Sequence, residues 1–184
     1  MRGRVWRRST TAPVLVALVM TGLALVAERV LPERFLPGRR MLPGRELRLA
    51  DGDSFTLAGT RIRLADIDAV ELHQFCGQDG ASWPCGRRAR EALAAIIGDA
   101  AVACRALDED RYGRTVARCR AVGQDGQEWD IGGRMVSEGF AVAVGLHYAP
   151  EELPARVARR GIWAGPFEQP ADWRAAHPRP VEAD

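Results

Sequence analysis

The chain has 184 residues, 47% hydrophobic and 27% charged, proportions of an ordinary globular protein with one good core. Its formal charge of +2 is unevenly spread: residues 1–45 carry nine Arg and two Glu, leaving 17 Arg against 22 acids from residue 46 onward, with no lysine anywhere. The folded part is therefore mildly acidic, which excludes a broad polycationic nucleic-acid binder; affinity for phosphate has to come from local arginines and a metal.

Residues 1–27 read as a targeting segment. Arg2, Arg4, Arg7 and Arg8 precede an apolar run from Ala12 to Ala27, the pattern of an export signal whose arginines stay on the cytoplasmic side. Gly22-Leu23-Ala24 offers the small residues of a cleavage site. Uncleaved, the run of sixteen residues is just short of a usual transmembrane helix, and an anchor in the cytoplasmic membrane is narrowly favoured. Residues 28–45, with three prolines and five arginines, read as a linker. The domain proper is expected over 46–165, followed by a tail, 166–184, partly packed back through Trp163, Phe167 and Trp173.

The stretch from Asp51 to Glu71, DGDSFTLAGTRIRLADIDAVE, alternates Phe55 and Leu57, then Ile62 and Leu64, about a break at Ala58-Gly59-Thr60. That is a β-hairpin. Its four acids, Asp51, Asp53, Asp68 and Glu71, fall at the two ends rather than on the body. Strand ends hold reactive groups rigidly while staying open to solvent. His73 to Pro84 is a loop containing Cys76, and Cys85 opens the next element. Gly86 to Ile97 is a helix whose Ala89, Leu93, Ile96 and Ile97 make one apolar stripe, stopped by Gly98. Ala101–Arg105 and Thr115–Val122 are strands on either side of a turn, Asp110-Arg111-Tyr112-Gly113-Arg114. Asp130 caps a short helix carrying Ile131, Met135 and Val136, locally weakened by Gly132 and Gly133. Phe140 to Val144 is extended. Pro150 to Arg160 is a last helix with Leu153 and Val157 directed inward. Five short strands with helices after the third and fifth suggest a small barrel.

Hard carboxylate oxygens suit calcium or magnesium, and the arginines Arg63 and Arg114 suit a phosphate. The set proposes metal-assisted phosphoryl chemistry. Each residue also has a plainer reading: Asp51-Gly52-Asp53 is a common hairpin turn, Arg63 and Asp68 make an ordinary surface ion pair, and Arg114 faces water. One point of periodicity is awkward. Asp53 shares parity with Phe55 and Leu57, whereas Arg63 opposes Ile62 and Leu64, so ideal strands would put the two on opposite faces. A twist or bulge near Gly52 is needed to bring them together.

The fragments DGDS, R-L-A-D-I-D-A-V-E and D-R-Y-G-R resemble the thermonuclease (staphylococcal nuclease-like, SNase) family from about Leu47 to about Trp163, with the Arg–Asp–Glu spacing kept. Val70 stands where that family usually has proline. The resemblance implies an α+β, mainly β fold: a five-stranded OB-fold barrel with about three helices. It implies a calcium-dependent nuclease that hydrolyses phosphodiester bonds in DNA and RNA with little base specificity. Asp53 and Asp68 would bind Ca2+ with the backbone carbonyl of Ala69, and Asp51 would lie in or behind that shell. Glu71 would be the general base or orient the attacking water; Arg63 and Arg114 would hold the phosphate and offset charge as the bond breaks. Tyr112 would reach a terminal phosphate. Tyr148 resembles a base-stacking tyrosine, although aligning it needs an inserted residue. Two rivals keep the fold and drop the chemistry: a lapsed single-strand-binding module, and a calcium-stabilised envelope domain that engages another protein. The protein is expected to be a monomer.

Cys104 and Cys119 are symmetric about Arg111–Tyr112, so antiparallel strands set them opposite one another, and Cys76 then pairs with Cys85. Export makes oxidation possible. His73, His147 and His177 share no zinc-binding spacing, and Cys76 and Cys85 form no C-x-x-C motif, so zinc is not expected.

Overall fold

A computed structural model describes residues 40–43, 47–78 and 80–178. The targeting segment and most of the linker lie outside the described residues. Among the described residues, no helix is long and apolar enough to cross a membrane.

The alternating stretch forms the expected hairpin. Strand β3 (Ser54–Leu57) runs antiparallel to β4 (Thr60–Leu64), with Phe55 opposite Ile62 and Leu57 opposite Thr60. The two residues between them, Ala58 and Gly59, have φ of 45° and 82°, the left-handed pair that a tight turn between twisted strands requires. Strand β2 (Leu47–Leu49) extends the hairpin on the β3 side. On the other side β4 pairs in parallel with β7 (Thr115–Val122), which pairs antiparallel with β6 (Ala101–Glu109). Strand β1 (Arg40–Pro43), inside the stretch read as linker, lies along β6. Strand β8 (Glu128–Asp130) adds to β7.

The fold is α+β and mainly sheet, but the expected closed five-stranded barrel is not found. The strands form a seven-stranded sheet in the order β1-β6-β7-β4-β3-β2, with β8 beside β7, and a separate ribbon. That ribbon pairs β5 (Ile67–Ala69) with β9 (Ala141–Ala143). The chain leaves β4 through a turn at Ala65-Asp66, where Asp66 takes a φ of 62° and its carboxylate accepts a 2.7 Å hydrogen bond from Arg118 Nε on β7. This turn directs β5 away from the main ladder. Edges that a barrel would join are occupied instead by β1 and β2.

Four α-helices are described, against about three expected. Helix α1 (Cys85–Ile97) lays Ala89, Leu93, Ile96 and Ile97 into a core with Phe55, Leu64 and Val102, as its stripe predicts. In α2 (Ile131–Ser137) the Asp130 carboxylate caps the Gly133 amide at 2.8 Å and also accepts the Tyr148 hydroxyl at 2.7 Å. A Cβ on Gly132 would come within 3.0–3.1 Å of the Tyr148 ring, so the residue that weakens this helix makes room for its neighbour. Helix α3 (Ala149–Val157) does not bury Leu153 and Val157; they are 65% and 78% exposed. Glu152 accepts a hydrogen bond from the Ala143 amide of β9 at 2.6 Å, and Ala155 is the buried residue, so the inward face is rotated relative to the apolar one. A seven-residue helix α4 (Pro170–Ala176) follows a short 3-10 turn, Gly161–Ala164, and ends the described chain.

Both expected disulfides form. Cys104 and Cys119 are direct partners across β6 and β7, and Cys76 bonds Cys85 at the start of α1.

Candidate active site

Arg63 emerges from β4 on the face opposite Ile62 and Leu64, and Ser54 is its partner across the ladder. Asp53 lies just outside the regular strand, in a bend. The Ala50 and Asp51 amides both donate to the Ser54 carbonyl, at 2.9 and 3.3 Å, and the Asp53 amide donates to Asp51 Oδ1 at 3.0 Å. Gly52 lets this bend press on the core: a Cβ there would sit 2.8 Å from the Cβ atoms of both Ala69 and Ala89. Strand alternation is thereby broken one residue before it would carry Asp53 to the wrong face.

Asp53 is 3% exposed. Arg63 Nη1 lies 2.9 Å from both of its carboxylate oxygens, Ser54 Oγ donates at 2.7 Å, and the Ala69 amide donates at 3.1 Å. Burial nevertheless pushes the carboxyl up to about 7, with Arg63 offsetting part of the rise and Asp51 adding to it. Burial also works against the Arg63 charge, but Asp53 and Asp68 more than compensate, leaving its pKa raised. Arg63 Nη2 donates to Asp68 Oδ1 at 2.8 Å, so one guanidinium bridges the two acids.

Arg114 reaches the same cluster from the turn after β6. Its Nε donates to Asp110 at 2.7 Å, and its Nη1 donates to Ser54 Oγ at 3.2 Å. Asp110 also accepts the Tyr112 and Arg114 amides, which shapes the turn. Arg61 helps: its Nη2 donates to the Tyr112 carbonyl at 2.6 Å. Tyr112 is 57% exposed, with the Arg111 and Arg114 guanidiniums 4.9 and 5.6 Å from its ring centre.

Glu71 sits in the loop between β5 and α1. Its amide donates to Gln74 Oε1 at 3.1 Å, and the Gln74 amide donates back to the Glu71 carbonyl at 2.8 Å. Gly86 packs directly on that carbonyl, which a Cβ would overlap. The carboxylate accepts a 3.0 Å hydrogen bond from Arg174 Nη1 on α4, and the same guanidinium grips Asp68 through both oxygens at 2.9 and 2.8 Å. A continuous polar relay therefore runs from Arg114 through Ser54, Asp53, Arg63, Asp68 and Arg174 to Glu71.

This arrangement sits within a recognisable sequence frame: the family described as staphylococcal nuclease homologue matches residues 61–165. The chain belongs to the staphylococcal nuclease homologue family. It is 32% identical over 157 residues to the succinoglycan biosynthesis protein ExoI of Rhizobium meliloti (strain 1021), covering 84% of this chain and 75% of that protein. It is 32% identical over 154 residues to protein ParB of Escherichia coli, covering 75% and 82%. It is also 32% identical over 173 residues to the micrococcal nuclease of Shigella flexneri, covering 85% and 94%.

Most of the residues singled out in the sequence of this staphylococcal nuclease homologue meet in the relay. Asp51 stands behind Asp53, holding its amide, and Tyr112 borders Arg114. Tyr148 does not join them. It is 4% exposed within the core, and burial, with Asp130 beside its hydroxyl, raises its pKa; a substrate base has no ring face to stack on. Ser54, Gln74, Gly86 and Arg174 were missed. Ser54 had a signal, standing in the DGDS fragment, but Arg174 lies beyond the family match and in no pattern.

Among the described residues, no three His, Cys, Asp or Glu side chains converge as a metal cluster. The donor set still fits a hard divalent cation held by two acids and backbone oxygen. Asp53 and Asp68 are hard oxygen donors beside Ala69, and positive charge already occupies the gaps between acids: Arg63 between Asp53 and Asp68, Arg174 between Asp68 and Glu71. A buried carboxyl with a raised pKa is a group that further positive charge would relieve.

Proposed function

We propose that this protein is a calcium-dependent nuclease that hydrolyses phosphodiester bonds of DNA and RNA with little base specificity. The observation that supports this best is the relay itself, which gathers three arginines and three acids from five separate stretches of chain. Asp53 and Asp68, with the Ala69 carbonyl, would hold Ca2+, and Asp51 would support them from behind. Bound there, the ion would neutralise phosphate charge and lower the pKa of water. Arg63 and Arg114 would turn from their resting acids to the phosphate oxygens and offset the charge that grows as the bond breaks. Glu71 would take the proton of the attacking water or aim it, its backbone fixed by Gln74 and Gly86. Tyr112 would donate to a terminal phosphate.

Two disulfides and an arginine-flanked apolar N-terminus support a location outside the cytoplasm, with the domain anchored to the membrane or released. The deciding experiment incubates the full chain with plasmid, single-stranded DNA and RNA. Cleavage with calcium that stops on chelation is expected, as is substrate retention without cleavage by Glu71→Gln. Band-shift of single strands with no cleavage by the unaltered chain would favour a lapsed binding module. Neither cleavage nor binding would leave the protein-interaction domain.

A further inference from the structure

Arg174 is placed on the two acids that the proposed chemistry most needs open. Its Nη2 takes Asp68 Oδ2, its Nη1 takes Asp68 Oδ1 and Glu71 Oε1, and all three contacts are 3.0 Å or shorter. A forked guanidinium saturates a carboxylate in the plane where a metal would coordinate. The helix that carries it is a small one. Of the seven residues in α4 only Pro170 is buried, while the Arg174 side chain is 37% exposed. Its approach is fixed upstream, where Gly77 donates to the Pro166 carbonyl at 2.8 Å and Gln74 Nε2 to the Glu168 carbonyl at 2.7 Å. Those tethers and the buried Pro170 hold the start of α4, so the turn beyond it, which carries Arg174, can swing out without disturbing the loop that positions Glu71.

We infer that Arg174 is a built-in competitor for the divalent cation: α4 lays an internal positive charge across Asp68 and Glu71 and must withdraw before these acids can serve metal and water. This rests on the proposed metal site. Two guanidiniums already face the three acids Asp53, Asp68 and Glu71, so adding a dication with Arg174 in place would set like charges side by side among partly buried side chains. Binding thus selects the fraction of molecules in which α4 is open, and the apparent affinity is reduced by that fraction. Arg174 is then a positioning residue of the resting state, and calcium is both ligand and release signal.

Calcium titration calorimetry of the full chain without nucleic acid tests this, with hydrogen exchange read over residues 171–176. Arg174→Gln is expected to bind Ca2+ about tenfold more tightly than the unaltered chain. Arg174→Lys, which keeps the charge and loses the fork, should fall between. Calcium should speed exchange in α4 of the unaltered chain by several-fold. Equal or weaker binding by Arg174→Gln would overturn the inference, because a residue that merely supports the acids would lose affinity when removed. So would unchanged exchange in α4, or no calcium binding by any of the three proteins. Tighter binding by Arg174→Gln without cleavage of nucleic acid would keep the competitor and discard the nuclease; cleavage with unaltered affinity would do the reverse.

Discussion

The two halves of the site are built differently. Asp53 and Arg63 belong to a hairpin, and backbone ladders on both sides of β4 fix them: the Leu64 amide donates to the Asp53 carbonyl at 2.8 Å, and β7 pairs with β4 from the other side. Glu71 and Arg174 belong to a loop and a short helix. No ladder reaches them, and the disulfide Cys76–Cys85, the buried Gln74 and the contact with Gly86 take its place. Strand-borne groups inherit the stability of the sheet, whereas loop-borne groups depend on a few cross-links.

Replacing the bridging arginine should give the largest effect. Arg63→Ala and Arg114→Ala are each expected to slow calcium-dependent cleavage by about a hundredfold or more, the scale for losing a preorganised transition-state contact. Arg61→Ala should cost less but not nothing, because Arg61 holds the Tyr112 carbonyl. Initial rates on plasmid decide the order. Arg61→Ala as harmful as Arg63→Ala would mean that the strand half acts through the turn rather than through the bridge.

The cystines separate the halves directly. Removing either pair by double serine substitution should lower stability by about 2–4 kcal/mol. Cys104 and Cys119 lie opposite one another in a ladder that persists without them, so activity below the melting transition should survive. Loss of Cys76–Cys85 loosens the loop that carries Glu71, so activity is expected to fall well below the transition. Equal activity losses from both pairs, measured with unfolding curves, would erase the distinction.

Gly86→Ala presses a methyl into the Glu71 carbonyl. Overpacking of this kind costs about 1–3 kcal/mol, and here it should also reduce the cleavage rate. Gly165→Ala, with open space around its Cβ and an extended φ of −154°, should change neither, which thermal unfolding and rate assays can verify.

A smaller effect belongs to the strand half. Burial lifts Asp53 from 3.8 to about 7. A raised acid contributes stability that is complete below its unfolded pKa and is lost as pH climbs through the folded one. Melting temperature in chelator should therefore carry a falling component between these two values, and Asp53→Asn should remove it. Parallel pH profiles for the two proteins would show that Arg63 keeps Asp53 ionised throughout.

The smallest change is expected from Val70→Pro, at the start of the loop half. Proline just after β5 narrows the unfolded ensemble, worth about 0.4–1 kcal/mol where the backbone fits. Equal or higher activity is expected. Loss of activity in the folded variant would mean that the backbone before Glu71 has to flex.

What the sequence determined by itself was local or ladder-borne. Alternation about Ala58-Gly59 defined the hairpin, the stripe in α1 defined its buried face, and the spacing about Arg111–Tyr112 paired Cys104 with Cys119, a register reached across a one-residue shift between Ala106 and Asp108. The same hairpin set Asp53 and Arg63 at one end of its two strands. Tertiary structure decided the rest. Only the bend at Gly52, pressed between Ala69 and Ala89, turned Asp53 toward Arg63 against strand parity. Only packing under Gly132 put Tyr148 in the core, and only the Glu152 bond to β9 rotated α3 away from its apolar face. Arg174 meets Asp68 across 106 residues. Contacts of that range obey no period, since they depend on where two surfaces meet after folding, and a lone arginine in a tail carries no mark of the acid it will find.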